Sequence, residues 1–379
     1  MKKVLTLQLH RTPDGESVKD GGPALVIEII NSFKRKGYSV DSMSGNNMDK
    51  YKQGEGLSPF LQRIHKAKNF ALDFDKKVFD EYDIIVFFHP STLMGFEESD
   101  LPLEKIILFP TLLGREYQSF MEVPEEYIKL EEKILSYKYI IQSPSQSQSR
   151  LLITQYQVEA NRIIIQPRGY SPSIFPSKER YLKENISLNN PLCLVSANAI
   201  RPQKGYIDLI DIVKFCIENK LFIKIIIYSD IEKSTNSTYL NYIRDFIDKI
   251  NKNGLNDYFD IRPAIDQKNL DNELLKYDFA IIPSIYESFG KTVIECSASG
   301  LPTMVFDDVP VYKEFLSDDN AIFLSRTPKD FYKILSDIVN DPEKYNLISK
   351  NGILNGGKYI LEDLYDDLID KIEDRLCIK

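Results

Sequence analysis

Short apolar runs alternate with amphipathic helical patterns along almost the whole of this 379-residue chain. The first half offers Val4–Leu9, Ile84–Phe88, Lys105–Phe109, Tyr139–Gln142 and Ile163–Gln166 as strands. The second half offers Leu192–Ser196, Ile223–Tyr228, Asp260–Arg262, Phe279–Pro283, Thr303–Phe306 and Ala321–Leu324. Near-continuous apolar strands have both faces covered, which is the condition of parallel sheets wrapped by helices. The alternation therefore predicts an α/β chain of doubly wound sheets.

The length suits two domains. A charged, Asn-rich segment between Phe175-Pro176 and Asn190-Pro191 marks the expected boundary. It gives an N-terminal domain over 1–180, a second over 181–356 and a terminal helix over 357–379, with Leu361, Leu364, Leu368 and Ile372 on its apolar face. The formal net charge is −8. Residues 1–180 carry 24 Lys+Arg and 24 Asp+Glu, and residues 181–379 carry 24 and 32. That balance argues against nucleic acid as a partner. Cys193, Cys216, Cys296 and Cys377 lack metal-binding spacing and fit a reducing compartment. Val4–Leu9 is too short for a signal-peptide core, and no apolar run approaches a membrane span. A cytoplasmic protein is expected.

Chemistry concentrates in Pro283-Ser284-Ile285-Tyr286-Glu287-Ser288-Phe289-Gly290-Lys291-Thr292-Val293-Ile294-Glu295. A buried strand ends at Pro283-Ser284, and a helix opens near Gly290. Glu287 thus falls in a strand-to-helix loop, where open α/β sheets bind ligands. Glu295 falls about two turns into the helix. N–H groups around Phe289-Gly290-Lys291 suit phosphate or sugar hydroxyls. Taken alone, such acids also serve as helix-dipole complements.

The whole string resembles the E-x7-E signature of retaining GT-B glycosyltransferases of the family 4 type. Cys296 to Val305, with its Gly300-Leu301-Pro302 turn, continues the likeness, as does Ile163 to Pro176, where Arg168 stands in place of the usual Asn. The resemblance implies a GT-B fold, two Rossmann-like doubly wound domains facing a cleft. It implies a metal-independent hexosyltransferase that retains anomeric configuration, uses a nucleotide-sugar donor (UDP before GDP) and needs no cofactor. The acceptor stays open among a glycan, a lipid-linked glycan, a protein and a small metabolite. Ser196 to Tyr206 is similar to the family's Gly-Arg-Leu-x-Lys-Gly loop. Lys204 matches its Lys. The usual Arg position falls on Asn198 or Ala199, and Arg201 is expected to take over. The resemblance thus assigns Glu287, Lys204 and Arg201 to catalysis. Preorganised cations there stabilise the departing diphosphate. Glu295 would hold ribose hydroxyls. Ser288, Phe289, Gly290, Lys291 and Arg262 would complete the donor side. Gly21-Gly22-Pro23 resembles the family's Gly-Gly loop, which places Gly22 at the donor, although such a pair is also an ordinary turn.

Three residues of the first half are candidate cleft residues. His89 ends a strand. Thr111 and Arg115 lie in the loop where the family often carries a histidine that this chain lacks. Residues 59–77 mix aromatic and basic side chains, which fits either an acceptor-facing helix or peripheral contact with an anionic membrane. A catalytically silent GT-B subunit that supports a partner transferase is the alternative to an enzyme, and a nucleotide-sugar epimerase is disfavoured by the intact E-x7-E string.

Overall fold

Near-continuous apolar strands need cover on both faces, and here they assemble two parallel sheets. The computed structural model describes residues 1–9, 21–43, 58–175, 177–231, 237–265, 269, 273–274 and 276–378. The chain divides into two units. One comprises Met1–Arg168 with Glu362–Lys379, the other Gly169–Leu361.

The first unit holds β1 (Lys3–Leu7), β2 (Ser39–Met43), β3 (Ile84–Phe88), β4 (Ile106–Phe109), β5 (Ile140–Ser143) and β6 (Ile163–Ile165), in the spatial order β2-β1-β3-β4-β5-β6. Leu5, Leu7, Ile85, Phe87, Ile106 and Leu108 alternate along three strands to face one core. The second unit holds β7 (Leu192–Ser196), β8 (Ile223–Tyr228), β9 (Phe259–Arg262), β10 (Phe279–Ile282), β11 (Thr303–Phe306) and β12 (Ile322–Leu324), ordered β12-β11-β10-β7-β8-β9. Phe279 and Ile281 of β10 enter one core, and Ala280 and Ile282 enter the other, so helices cover both faces. This order reverses between β7 and β10, the place where doubly wound sheets take ligands.

β2 was not among the expected strands. Its sequence Ser-Val-Asp-Ser-Met is largely polar and has no buried residue, as an edge strand can be. Gly21 and Gly22 form the first turn of the helix Gly21–Arg35 and do not lie in a loop before it. Pro23 at its start is compatible with this, since a first-turn residue needs no N–H donor. The division between units falls at Arg168/Gly169, earlier than the expected segment. Ser177 Oγ donates to Ala298 O at 2.9 Å and Lys178 N to Ser299 O at 3.2 Å, which ties the intervening stretch to the second unit. A Cβ on Gly169 would lie 2.3 Å from Leu361 Cα, so the two crossing segments touch there because Gly169 has no side chain to hold them apart.

The helix Leu361–Arg375 packs into the first unit, with Tyr365, Leu368, Ile369 and Ile372 buried. Around it Arg35 pairs with Asp366 at 2.9 Å, Lys36 with Asp370 at 2.6 Å and Lys2 with Glu373 at 3.1 Å. Exposed pairs of this kind add little, so apolar burial carries the attachment.

The basic helix Pro59–Asp73 buries Phe60, Ile64, Ala67, Phe70 and Ala71, while buried Lys66 donates to Leu9 O at 3.0 Å. Its apolar face is committed to the core. Among the described residues no helix is long and apolar enough to cross a membrane. Ile369→Ala is expected to destabilise the protein by about 2–5 kcal/mol, the range for emptying a fully buried branched site, read from urea unfolding.

Candidate functional site

Parallel pairing of β7 with β10, Leu194 beside Phe279 and Val195 beside Ala280, brings the loops at their carboxyl ends together. After β7 the chain makes a tight turn at Pro202–Lys204 and passes through Gly205 in the left-handed region, φ 64°. A Cβ on Gly205 would lie 2.1 Å from Pro283 O, so only glycine allows this approach. Gln203 O then accepts from Ile285 N at 2.9 Å and Tyr286 N at 3.4 Å. The same loop is fixed from beneath. Buried Tyr206 donates to Asn198 O at 2.7 Å, and Ser229 Oγ accepts from Ile200 N at 2.9 Å.

This zipped pair of loops joins Lys204 to Glu287. Their ion pair is mostly buried, with side chains 18% and 15% exposed, and Ser284 Oγ donates to the same Glu287 oxygen at 2.8 Å. Removing one member of such a pair strands the other charge in a poorly solvated place. Gly290, φ 99°, then caps the helix Lys291–Ala298 without any side-chain hydrogen bond. First-turn N–H groups and the helix dipole there favour an anion. Lys291 Nζ lies 3.4 Å from Glu295 Oε1, whose side chain is 8% exposed, and Thr292 Oγ1 donates to Asn198 Oδ1 at 3.3 Å. Phe289 is buried and packs on Phe315 with ring centroids 4.9 Å apart, which leaves its backbone, not its ring, as the polar contribution. Ser288 is half-buried. The structure therefore gathers Lys204, Glu287, Ser288, Phe289, Gly290, Lys291 and Glu295 around one switch point.

Two assigned cations behave differently. Arg201 begins the Pro202–Lys204 turn and places its guanidinium 5.5 Å from the Tyr239 ring centroid. Arg262, assigned to the donor side, bonds within its own unit at the sheet edge. It donates to Asp260 Oδ2 through Nε at 3.0 Å and Nη2 at 2.7 Å, and through Nη1 to the hydroxyls of Tyr228 at 3.0 Å and Tyr277 at 3.1 Å. Hydrogen bonding to Asp260 raises its pKa further. Its fork is occupied at the sheet edge, which a cation read from sequence could not disclose. Ser284 and Asn198 belong to the site and were not singled out, although Ser284 sits inside the recognised string.

Within the first unit, His89 adopts φ 70° at the end of β3. Its Nδ1 accepts from Ser91 N at 3.1 Å, and its backbone N–H donates to Phe109 O at 2.9 Å, which joins the ends of β3 and β4. Thr111 O accepts from Gln148 Nε2 at 3.2 Å. Arg115 Nη2 pairs with Glu132, and its backbone N–H donates to Tyr156 OH at 3.0 Å. Under this loop lie two fully buried carboxyls that sequence reading passed over. Glu116 accepts from Leu113 N at 2.6 Å and from Gln148 Nε2 at 3.1 Å. Glu131 accepts from Gly114 N at 2.7 Å and from the Tyr156 hydroxyl. Burial pushes the Glu131 carboxyl up from 4.5 to about 8.

Two outcomes follow from this geometry. Gly205→Ala is expected to cost more than about 1 kcal/mol, since both φ and the Pro283 contact oppose it, as a lowered urea midpoint. The folded state holds the Glu131 proton more tightly than the unfolded chain, so this contribution to stability is complete below pH 4.5 and is lost as pH rises through about 8. Glu131→Gln does not titrate. Its stability relative to the parent is expected to improve steadily across that window in denaturation series at several pH values, and a constant offset would contradict the assignment.

Residues 177–354 match the model of the family described as Glycosyl transferases group 1. Among solved structures the chain is similar to sucrose-phosphate synthase from Thermosynechococcus elongatus, with 15% identity, a TM-score of 0.79 and 100% of each chain covered. It is similar to HepE from Anabaena in complex with UDP and glucose, with 13% identity, a TM-score of 0.72 and 99% of this chain and 100% of that one covered. It is also similar to a glycosyltransferase from Rickettsia africae, with 13% identity, a TM-score of 0.69 and 100% and 99% covered. No curated protein matches the chain significantly in sequence. At these identities the structural likenesses establish the fold. Residues 177–354 are thus similar to the glycosyl transferases group 1 family, and the chain carries the GT-B fold of two Rossmann-like units.

Proposed function

We propose that this chain transfers a hexosyl group from a UDP-sugar to an acceptor hydroxyl, with retention at the anomeric carbon and without a metal ion. The observation that carries the reading is the Lys204–Glu287 pair, set at the β7/β10 switch point beside the uncapped start of the helix bearing Glu295. In this reading Lys204, Arg201 and the first-turn N–H groups meet the diphosphate and stabilise the negative charge it gains on leaving. Glu287 positions the donor sugar and compensates developing positive charge at its anomeric carbon. Glu295 accepts hydrogen bonds from the two ribose hydroxyls, a task suited to one carboxylate with two oxygens. UDP is favoured because HepE, of the same fold, has been solved with UDP-glucose. Glycan or glycoconjugate synthesis in the cytoplasm is the setting this chemistry suits, with the acceptor hydroxyl left open.

A thermal-shift screen against UDP, GDP, ADP and their hexose conjugates, run with EDTA, tests the donor. Ligand at a hundredfold over its dissociation constant stabilises by about 2.7 kcal/mol, so UDP and a UDP-hexose are expected to raise the melting temperature clearly. No shift with any of them would favour a silent subunit. Glu295→Ala is expected to weaken UDP binding about tenfold or more, the scale of charged hydrogen bonds lost. Unchanged UDP affinity in that variant would sink the ribose assignment.

A further inference from the structure

Arg326 was not singled out by any motif, yet it reaches both loops of the proposed donor site. It follows β12 in sequence, and its side chain is 21% exposed. Nε donates to Asp308 Oδ2 at 2.6 Å and Nη2 to Asp308 Oδ1 at 3.0 Å. Nη2 also donates to Ser284 O at 2.7 Å. Nη1 donates to Asp208 Oδ2 at 2.7 Å and to Pro283 O at 3.2 Å. The guanidinium plane lies 4.3 Å from the Phe306 ring centroid. Five donors thus meet acceptors from three separate segments. Two acceptors are carbonyls at the end of β10, on the chain that leads to Glu287. A third is Asp208, just beyond the Lys204-Gly205 turn.

We propose that Arg326 is the positioning residue that holds the Lys204 loop and the Glu287 loop at one spacing, and that it sets diphosphate affinity without touching the donor. The inference rests on the donor reading above and adds to it a residue from outside both loops. The geometry demands arginine. A lysine ammonium presents its donors from one point and cannot bond Asp308 through two parallel N–H groups while also reaching Asp208 and two carbonyls. Without the clamp, the ties that still join the two loops include Gln203 O, the Lys204–Glu287 pair and the Thr292–Asn198 hydrogen bond. Lys204 then explores positions from which it no longer meets a diphosphate, and affinity falls although every group that touches donor is still present.

The test is a double-mutant cycle read by calorimetric titration of UDP, with GDP in its place if the screen selects it. Arg326→Lys and Lys204→Met are each expected to weaken binding at least tenfold. The double variant is expected to bind no more than threefold worse than Lys204→Met alone, because both changes remove the same interaction. A role confined to general stability would instead lower the melting temperature and leave affinity near the parent's, and an independent role in binding would give losses that multiply to a hundredfold. Multiplied losses, or an Arg326→Lys affinity within threefold of the parent, overturn the proposal. If Arg326→Lys does not fold, Asp208→Ala severs only the tie on the Lys204 side. It is expected to lose at least threefold with the same non-additivity, and an unchanged affinity counts equally against the clamp. A parent protein that binds no nucleoside diphosphate, or a Lys204→Met variant that binds normally, marks failure of the donor reading itself.

Discussion

The absence of one side-chain carbon, at Gly205, governs how the second unit presents its polar groups. Parallel strands bring their carboxyl ends close, but a few ångströms of side chain normally keep the following loops apart. Here the backbone of the β7 loop rests against Pro283 O, and Gln203 O is within reach of two amides of the β10 loop. Lys204 and Glu287 are 83 residues apart in sequence and meet as a consequence of that backbone contact. The pair is held from below by Tyr206 and Ser229 and beside it by Ser284. A polar site is thereby built mostly on backbone geometry, which costs little to maintain because the buried strands already fix it.

The strands were legible because burial on both faces leaves a plain mark in sequence. Phe279 to Ile282 can be little else once Pro283-Ser284 stops it. β2 escaped because Ser39, Asp41 and Ser42 give an edge strand the composition of a loop. The Gly21-Gly22 pair misled for a related reason. Glycine is the strongest sign of a turn, yet Pro23 and the apolar stripe after it draw these residues into the helix's first turn. The junction between units was displaced because charge and Asn content mark exposed chain, whereas the division depends on which partner a segment bonds. Ser177 and Lys178 bond to the Ala298-Ser299 segment.

The site was legible where its parts are contiguous. Glu287 and Glu295 share one loop and helix, so their spacing survives in the string. Lys204 was readable from its own loop. Nothing local marked Arg326, whose meaning lies in carbonyls and carboxylates contributed by segments far from it. Arg262 shows the converse. It looked available and is consumed by Asp260, Tyr228 and Tyr277. Buried Glu116 and Glu131 were invisible because carboxyls in a helical pattern normally face water.

The first unit takes its last helix from beyond the second, and this orders events during synthesis. Domains commonly fold as they emerge, the first one made folding first. Here β1 to β6 leave the ribosome early but lack Tyr365, Leu368, Ile369 and Ile372. The second unit, by contrast, has all its strands and both its cores once Leu361 has been made. The nascent first unit therefore waits, with an apolar stripe uncovered, for the whole length of its neighbour to be translated. The unit begun first is the one completed last.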